Sequence, residues 1–140
     1  MKLYIVANRL PVKAVPRQDS YTFVRSEGGL ATGLDSLQIS MEKHWIGWPG
    51  VCVDNARQQI EIRQHLETMD FHPIFLSEEQ YHDYYEGYSN STIWPLCHYF
   101  FSHTTVRKEY WESYQKVNAL FCEEISKQVG SGDWVWIQDY

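Results

Sequence analysis

Several places in this 140-residue chain combine residue types and spacings suited to chemistry. Arg9 follows directly on the apolar run Leu3-Tyr4-Ile5-Val6-Ala7 and Asn8. An arginine set just beyond a buried strand can grip an anion through two parallel N–H groups, because its guanidinium is planar and permanently charged. The plainer reading is a surface charge at a turn. Gly28-Gly29 stands ahead of a helical pattern, where bare backbone N–H groups and the positive end of a helix can approach a diphosphate. An ordinary loop explains the pair equally simply, the fuller G-x-G-x-x-G fingerprint is absent, and Glu27 would repel a phosphate if it faced the same way.

Residues 84–95, from Tyr84-Tyr85-Glu86-Gly87-Tyr88 to Trp94-Pro95, alternate aromatic with small polar side chains. Such a mixture suits a sugar, whose apolar ring face stacks on aromatics while amides and hydroxyls bond its oxygens. The alternative is that Tyr84 and Tyr88, one helical turn apart, simply pack inward. Trp48 and Asp139 each follow an apolar run, as Arg9 does, although Asp139 also fits the role of a helix cap or turn former. The six histidines form no H-E-x-x-H pattern, and Cys52, Cys97 and Cys122 have no C-x-x-C spacing. Neither a metal site nor a disulfide framework is expected, and the thiols read as idle groups in a reducing cytoplasm.

The elements that must position these residues alternate. Strand formers at 3–7 end before Pro11, which cannot extend a ladder. Residues 11–29 turn polar and read as a long loop, with room for a hairpin around Tyr21–Val24. Leu30, Leu34, Leu37 and Met41 recur at helical spacing, and 44–48 is a second strand. Asp54 is placed to cap a polar helix running to about residue 67, residues 71–76 form a third strand, and Ser77-Glu78-Glu79-Gln80 is a capping box. After an irregular stretch at 87–95, a helix is expected over about 105–129, with Trp111, Tyr114, Leu120, Phe121 and Ile125 as its apolar stripe. Gly130 and Gly132 stop it, and residues 133–138 form the last strand.

Short buried strands separated by helices describe an α/β, Rossmann-like, mostly parallel sheet with helices on both faces. In such sheets ligands bind beyond the carboxyl ends of the strands, which selects Asn8, Arg9, Trp48 and Asp139 and, with the aromatic stretch at 84–95, yields a pocket for an anion and a sugar. Twelve Lys and Arg against eighteen Asp and Glu leave a net charge of -6, without the basic surface that nucleic acid or an anionic membrane requires. With Arg9 interrupting the first apolar run and no spanning helix, a cytoplasmic chain is expected. Ten Tyr, six Trp and six Phe exceed what a core of this size requires, so some rings are expected to line the pocket.

Five segments, taken together, resemble the beginning of the α,α-trehalose-6-phosphate synthases, retaining glycosyltransferases of the GT-B type in family 20. They are Val6-Ala7-Asn8-Arg9-Leu10-Pro11-Val12, Glu27-Gly28-Gly29-Leu30-Ala31-Thr32-Gly33-Leu34, Trp45-Ile46-Gly47-Trp48-Pro49-Gly50, the stretch from Tyr88 to Tyr99, and Trp134-Val135-Trp136-Ile137-Gln138-Asp139-Tyr140. The resemblance implies glucosyl transfer from UDP-glucose, or another nucleotide-glucose, to glucose 6-phosphate with retention, without a metal ion or other cofactor. It implies that residues 1–140 are part of the N-terminal, acceptor-side Rossmann-like domain, that the C-terminal nucleotide-sugar domain is absent, and that this fragment alone is inactive.

Carried over by position, Arg9 binds the acceptor phosphate, Tyr85 supports the same acceptor, Trp94 shapes the acceptor pocket and Asp139 hydrogen-bonds the acceptor's hydroxyls. Gly28 and Gly29 approach the donor, and Trp48 is a lesser pocket aromatic. The partners implied are these two small-molecule substrates, neither nucleic acid nor membrane, with room for a homo-oligomer. Gln138 stands where many relatives have His, which implies altered packing beside Asp139. Two other readings stay open: a sugar-phosphate sensor without catalysis, and a GT-B transferase with a different acceptor.

Overall fold

The computed structural model describes residues 1–18, 20–26, 33–34, 36 and 39–138. Its centre is a parallel sheet of four strands, β1 (Lys2–Arg9), β4 (Glu42–Trp48), β5 (Phe71–Pro73) and β6 (Trp134–Ile137), in the order β5-β4-β1-β6. The chain moves outward from β1 through β4 to β5, then returns to lay β6 against the other side of β1. The direction of winding therefore reverses between β1 and β6, and a crevice opens at the carboxyl ends of strands at such a switch point.

Side-chain alternation along β1 assigns one core to each face. Leu3, Ile5 and Ala7 join Trp45 with Ile62 and Leu66 of α1 (Ala56–Glu67). Tyr4 and Val6 join Ile46, Trp48 and Tyr84 with Val117 and Phe121 of α4 (Lys108–Gln128). Helices thus cover both faces, as expected of a doubly wound sheet.

The structure departs from the expectations in instructive places. The stretch read as a long loop is largely an antiparallel hairpin, β2 (Val12–Pro16) with β3 (Tyr21–Arg25), whose Ala14 and Phe23 pack over the first core. Asn55, not Asp54, caps α1, since its Oδ1 accepts from the N–H groups of Arg57 (2.9 Å) and Gln58 (3.2 Å). β5 stops at Pro73, although Ile74 and Leu76 remain buried. The helix expected from Leu30 rests mostly on residues 27–32, 35 and 37–38, outside the described residues; Leu34 packs into the first core.

The segment read as irregular is helical. After α2 (Glu78–Tyr81) the chain widens into a π-helix over His82–Ile93 and continues as α3 (Trp94–Cys97), which precedes a 3₁₀ turn at Phe101–His103. The wide winding is supported from within: the hydroxyls of Ser89 and Ser91 donate to the carbonyls five residues back, Tyr84 (3.0 Å) and Glu86 (2.7 Å). Gly87 is needed for packing, because a Cβ there would lie 2.7 Å from the Tyr110 ring of α4. The buried line of α4 is Ser113, Val117, Phe121 and Glu124; Tyr114, Leu120 and Ile125 pack beside it, while Trp111 is exposed. β6 was expected to be buried, yet all four of its residues are exposed, because among the described residues it pairs with β1 alone and lies at the sheet edge.

Candidate functional site

The site begins with an irregularity in β1. Val6 pairs with Ile46 and Arg9 with Trp48, so β1 takes three steps where β4 takes two. One extra residue in a strand reverses the face of every side chain after it. Arg9 consequently shares a face with Trp48 instead of pointing toward the hairpin. The bulged backbone crosses close over Gly47, where a Cβ would meet the Ala7 carbonyl oxygen at 2.7 Å and Leu10 N at 3.1 Å. Leu10 N–H donates to the Trp48 carbonyl (2.9 Å), closing the bulge.

On that face Arg9 is enclosed by rings. Its guanidinium carbon lies 5.4 Å from the Trp48 ring centroid and 5.2 Å from that of Tyr85, both within cation–π range. Nη2 donates to the Tyr81 hydroxyl at 2.8 Å. Tyr81 stacks on Trp48 at 4.4 Å and approaches Tyr85 at 5.4 Å. Trp48 is itself held, its Nε1–H donating to the Val51 carbonyl at 3.0 Å. Burial raises the Tyr81 pKa, against the lowering effect of Arg9, so the phenol keeps its proton at neutral pH. Beside this group Asn8 is only 8% exposed, and its buried Oδ1 has no hydrogen-bond partner among the described residues.

The structure brings Arg9, Trp48 and Tyr85 together and adds Tyr81, which sequence reasoning did not select. The signal was present: Tyr81 lies one helical turn before Tyr85 and directly after the capping box. Trp94 stands apart from this group, 41% exposed, stacked on His98 at 4.1 Å and lining a pocket of about 260 Å³ with Pro95, Phe100 and His103. Gly28, Gly29 and Asp139 lie outside the described residues. β6, which leads to Asp139, is tied beside β1 by Gln138 N–H donating to the Val6 carbonyl (2.8 Å).

A family model described as glycosyltransferase family 20 matches residues 1–140. The chain belongs to that family. An α,α-trehalose-phosphate synthase (UDP-forming) of Botryotinia fuckeliana is 38% identical over 99% of this chain and 27% of its own length. A trehalose-6-phosphate synthase of Mycolicibacterium vanbaalenii is 43% identical over 97% of this chain and 28% of its own. The crystal structure of a UDP-forming α,α-trehalose-phosphate synthase from Burkholderia xenovorans, in complex with glucose 6-phosphate, superposes with a TM-score of 0.72 at 24% identity, over all of this chain and 28% of that one. This family-20 chain therefore spans little more than a quarter of the length of the relatives it matches, and shares their α/β fold.

At the opposite ends of the strands lies a second titratable group. Glu42, His44 and Asp70 bring one ligand-type atom each within 4.8 Å of one another. Both His44 nitrogens are already engaged, however: Nε2–H donates to Glu42 Oε1 (3.0 Å), and Nδ1 lies 3.2 Å from His72 Nε2. The two rings are close to coplanar, at 16°, so the His72 N–H points at the His44 lone pair that a cation would need. Among the described residues no helix is long and apolar enough to cross a membrane.

Proposed function

We propose that this chain is the acceptor-side portion of a trehalose-6-phosphate synthase. That enzyme moves glucose from UDP-glucose to glucose 6-phosphate with retention, forming α,α-trehalose 6-phosphate and releasing UDP. The observation that carries the proposal is Arg9, held by Trp48, Tyr81 and Tyr85 at the carboxyl end of β1, next to the switch point. A fixed guanidinium there suits a sugar phosphate, whose charge it neutralises while its planar N–H groups meet two phosphate oxygens.

In this reading Tyr85 and Trp48 wall the phosphate end, and Trp94 and Asp139 contact the sugar. Gly28 and Gly29 lie toward the nucleotide-glucose. Residues 1–140 are part of the N-terminal lobe, the nucleotide-reading lobe lies beyond them, and the protein works in the cytoplasm. Transfer proceeds by front-face attack of the acceptor hydroxyl, with the departing phosphate helping to take its proton while cations of the second lobe stabilise the developing charge. No metal ion takes part.

The test is direct. Calorimetry of the chain with glucose 6-phosphate should show binding that Arg9→Ala weakens at least about 10-fold, the loss expected of a charge-assisted bidentate contact. Unchanged binding by Arg9→Ala would remove the reason for naming a phosphate. A sensitive assay for trehalose 6-phosphate with both substrates should find no turnover by these 140 residues alone; clear turnover would overturn the division between lobes.

A further inference from the structure

The ring cluster around Arg9 contains one residue to which the acceptor reading gives no part in recognising the ligand. Tyr81 closes α2, and its position is set locally. Ser77 Oγ accepts from Gln80 N–H (3.1 Å), Gln80 Oε1 accepts from Ser77 N–H (3.0 Å), and Tyr81 N–H donates to the Ser77 carbonyl (2.9 Å). Its ring is then fixed by stacking on Trp48. The hydroxyl therefore arrives at Arg9 on a rigid mount, and it accepts from a single guanidinium nitrogen at 2.8 Å.

We propose that Tyr81 is a positioning residue of the phosphate subsite: it holds one arm of the Arg9 fork so that the other N–H groups face the anion, and its own O–H remains free to donate to that anion. The inference rests on the acceptor reading above. Two physical arguments support it. Arg9 is exposed, and an unrestrained arginine loses much rotamer freedom when it clamps a ligand; a neighbour that fixes the fork beforehand removes that cost from binding. A phenol oxygen that accepts from Arg9 also directs its hydrogen elsewhere, and an anion bound by the same guanidinium lies within reach of it. The raised pKa of Tyr81 keeps that hydrogen in place.

NMR titration of the chain, which reads weak as well as tight binding, tests this with glucose 6-phosphate and glucose as probes. Wild type, Arg9→Ala and Tyr81→Phe are compared, because Phe keeps the stack on Trp48 and removes only the hydroxyl. Tyr81→Phe should weaken glucose 6-phosphate by about 3- to 10-fold, leave glucose unchanged, and leave the melting temperature where it was. If Arg9→Ala loses the phosphorylated sugar but Tyr81→Phe binds it like wild type, this inference fails and the acceptor reading stands. Equal weakening for glucose and glucose 6-phosphate also overturns it, since a structural defect does not select for phosphate. If wild type shows no preference for the phosphorylated sugar, or Arg9→Ala keeps it, the acceptor reading fails and Tyr81's role falls with it.

Discussion

Gly47→Ala is the sharpest perturbation of the arrangement that aims Arg9. The added Cβ would stand 2.7 Å from the Ala7 carbonyl oxygen, 3.0 Å from the Arg9 carbonyl carbon and 3.1 Å from Leu10 N. All three are backbone atoms of β1 or of Leu10 directly after it, so no side chain can swing aside, and β1 must separate from β4 at the bulge. Overpacking of this kind costs about 1–3 kcal/mol, and weakening two flanking bonds, Leu10 N–H to Trp48 O and Ile74 N–H to Gly47 O (both 2.9 Å), adds about 1 kcal/mol each. The sum, about 3–5 kcal/mol, is a large share of a domain's net stability and lowers the melting temperature by about 10–15 °C. Thermal unfolding followed by circular dichroism measures it. Gly33→Ala is the control, because a Cβ there meets nothing within 4 Å among the described residues. A Gly47→Ala protein melting as wild type does would refute the argument that the bulge needs a bare backbone opposite it.

Two further outcomes follow from buried titratable groups. Burial, and then the proximity of His44, lowers the pKa of His72. The unfolded chain, with a histidine pKa of about 6.5, therefore takes up a proton before the folded one does. The stabilising contribution is complete above that pH and is lost as pH falls through the folded pKa, so melting temperature should decline on acidification and His72→Gln should flatten the slope; an unchanged slope would assign the acid sensitivity elsewhere. Arg63 of α1 reaches around β5 to α4, where Nη1 meets Glu124 Oε1 at 3.0 Å while Nη2 donates to the Pro73 carbonyl at 3.1 Å. Glu124 is 5% exposed, so Arg63→Ala leaves its charge buried with Gln128 as the remaining donor and should cost about 3 kcal/mol in chemical denaturation. A loss below about 1 kcal/mol would mean that this pair contributes no more than a surface ion pair.

The site was partly legible in advance. Arg9 and Trp48 were found by their places after apolar runs, and Tyr85 by the aromatic composition of residues 84–95 and by resemblance; the structure brings the three side chains together. Tyr81 was overlooked because its role depends on stacking across 33 residues of chain, from Trp48, which no local pattern reveals. The segment around Gly87 was misread because Gly, Asn and Pro near one another suggest a broken backbone. Here the glycine makes room for Tyr110, two serines support the wide turns, and the Ser91 carbonyl, which lies four residues before Pro95 and receives no N–H from it, accepts from Thr105 N–H (2.7 Å).

By itself the sequence determined the alternation of strand with helix, the parallel sheet, the capping box before Tyr81 and membership of a glycosyltransferase family. The first three rest on short-range rules, backbone periodicity, local hydrogen bonds and the burial of apolar runs, whereas the family rests on the resemblance of five segments and on the family model that matches residues 1–140. Only the tertiary structure decided which way Arg9 points. That direction depends on an extra residue in β1 relative to β4, a register set by contacts between segments almost forty residues apart and by a glycine whose missing side chain lets the two backbones close.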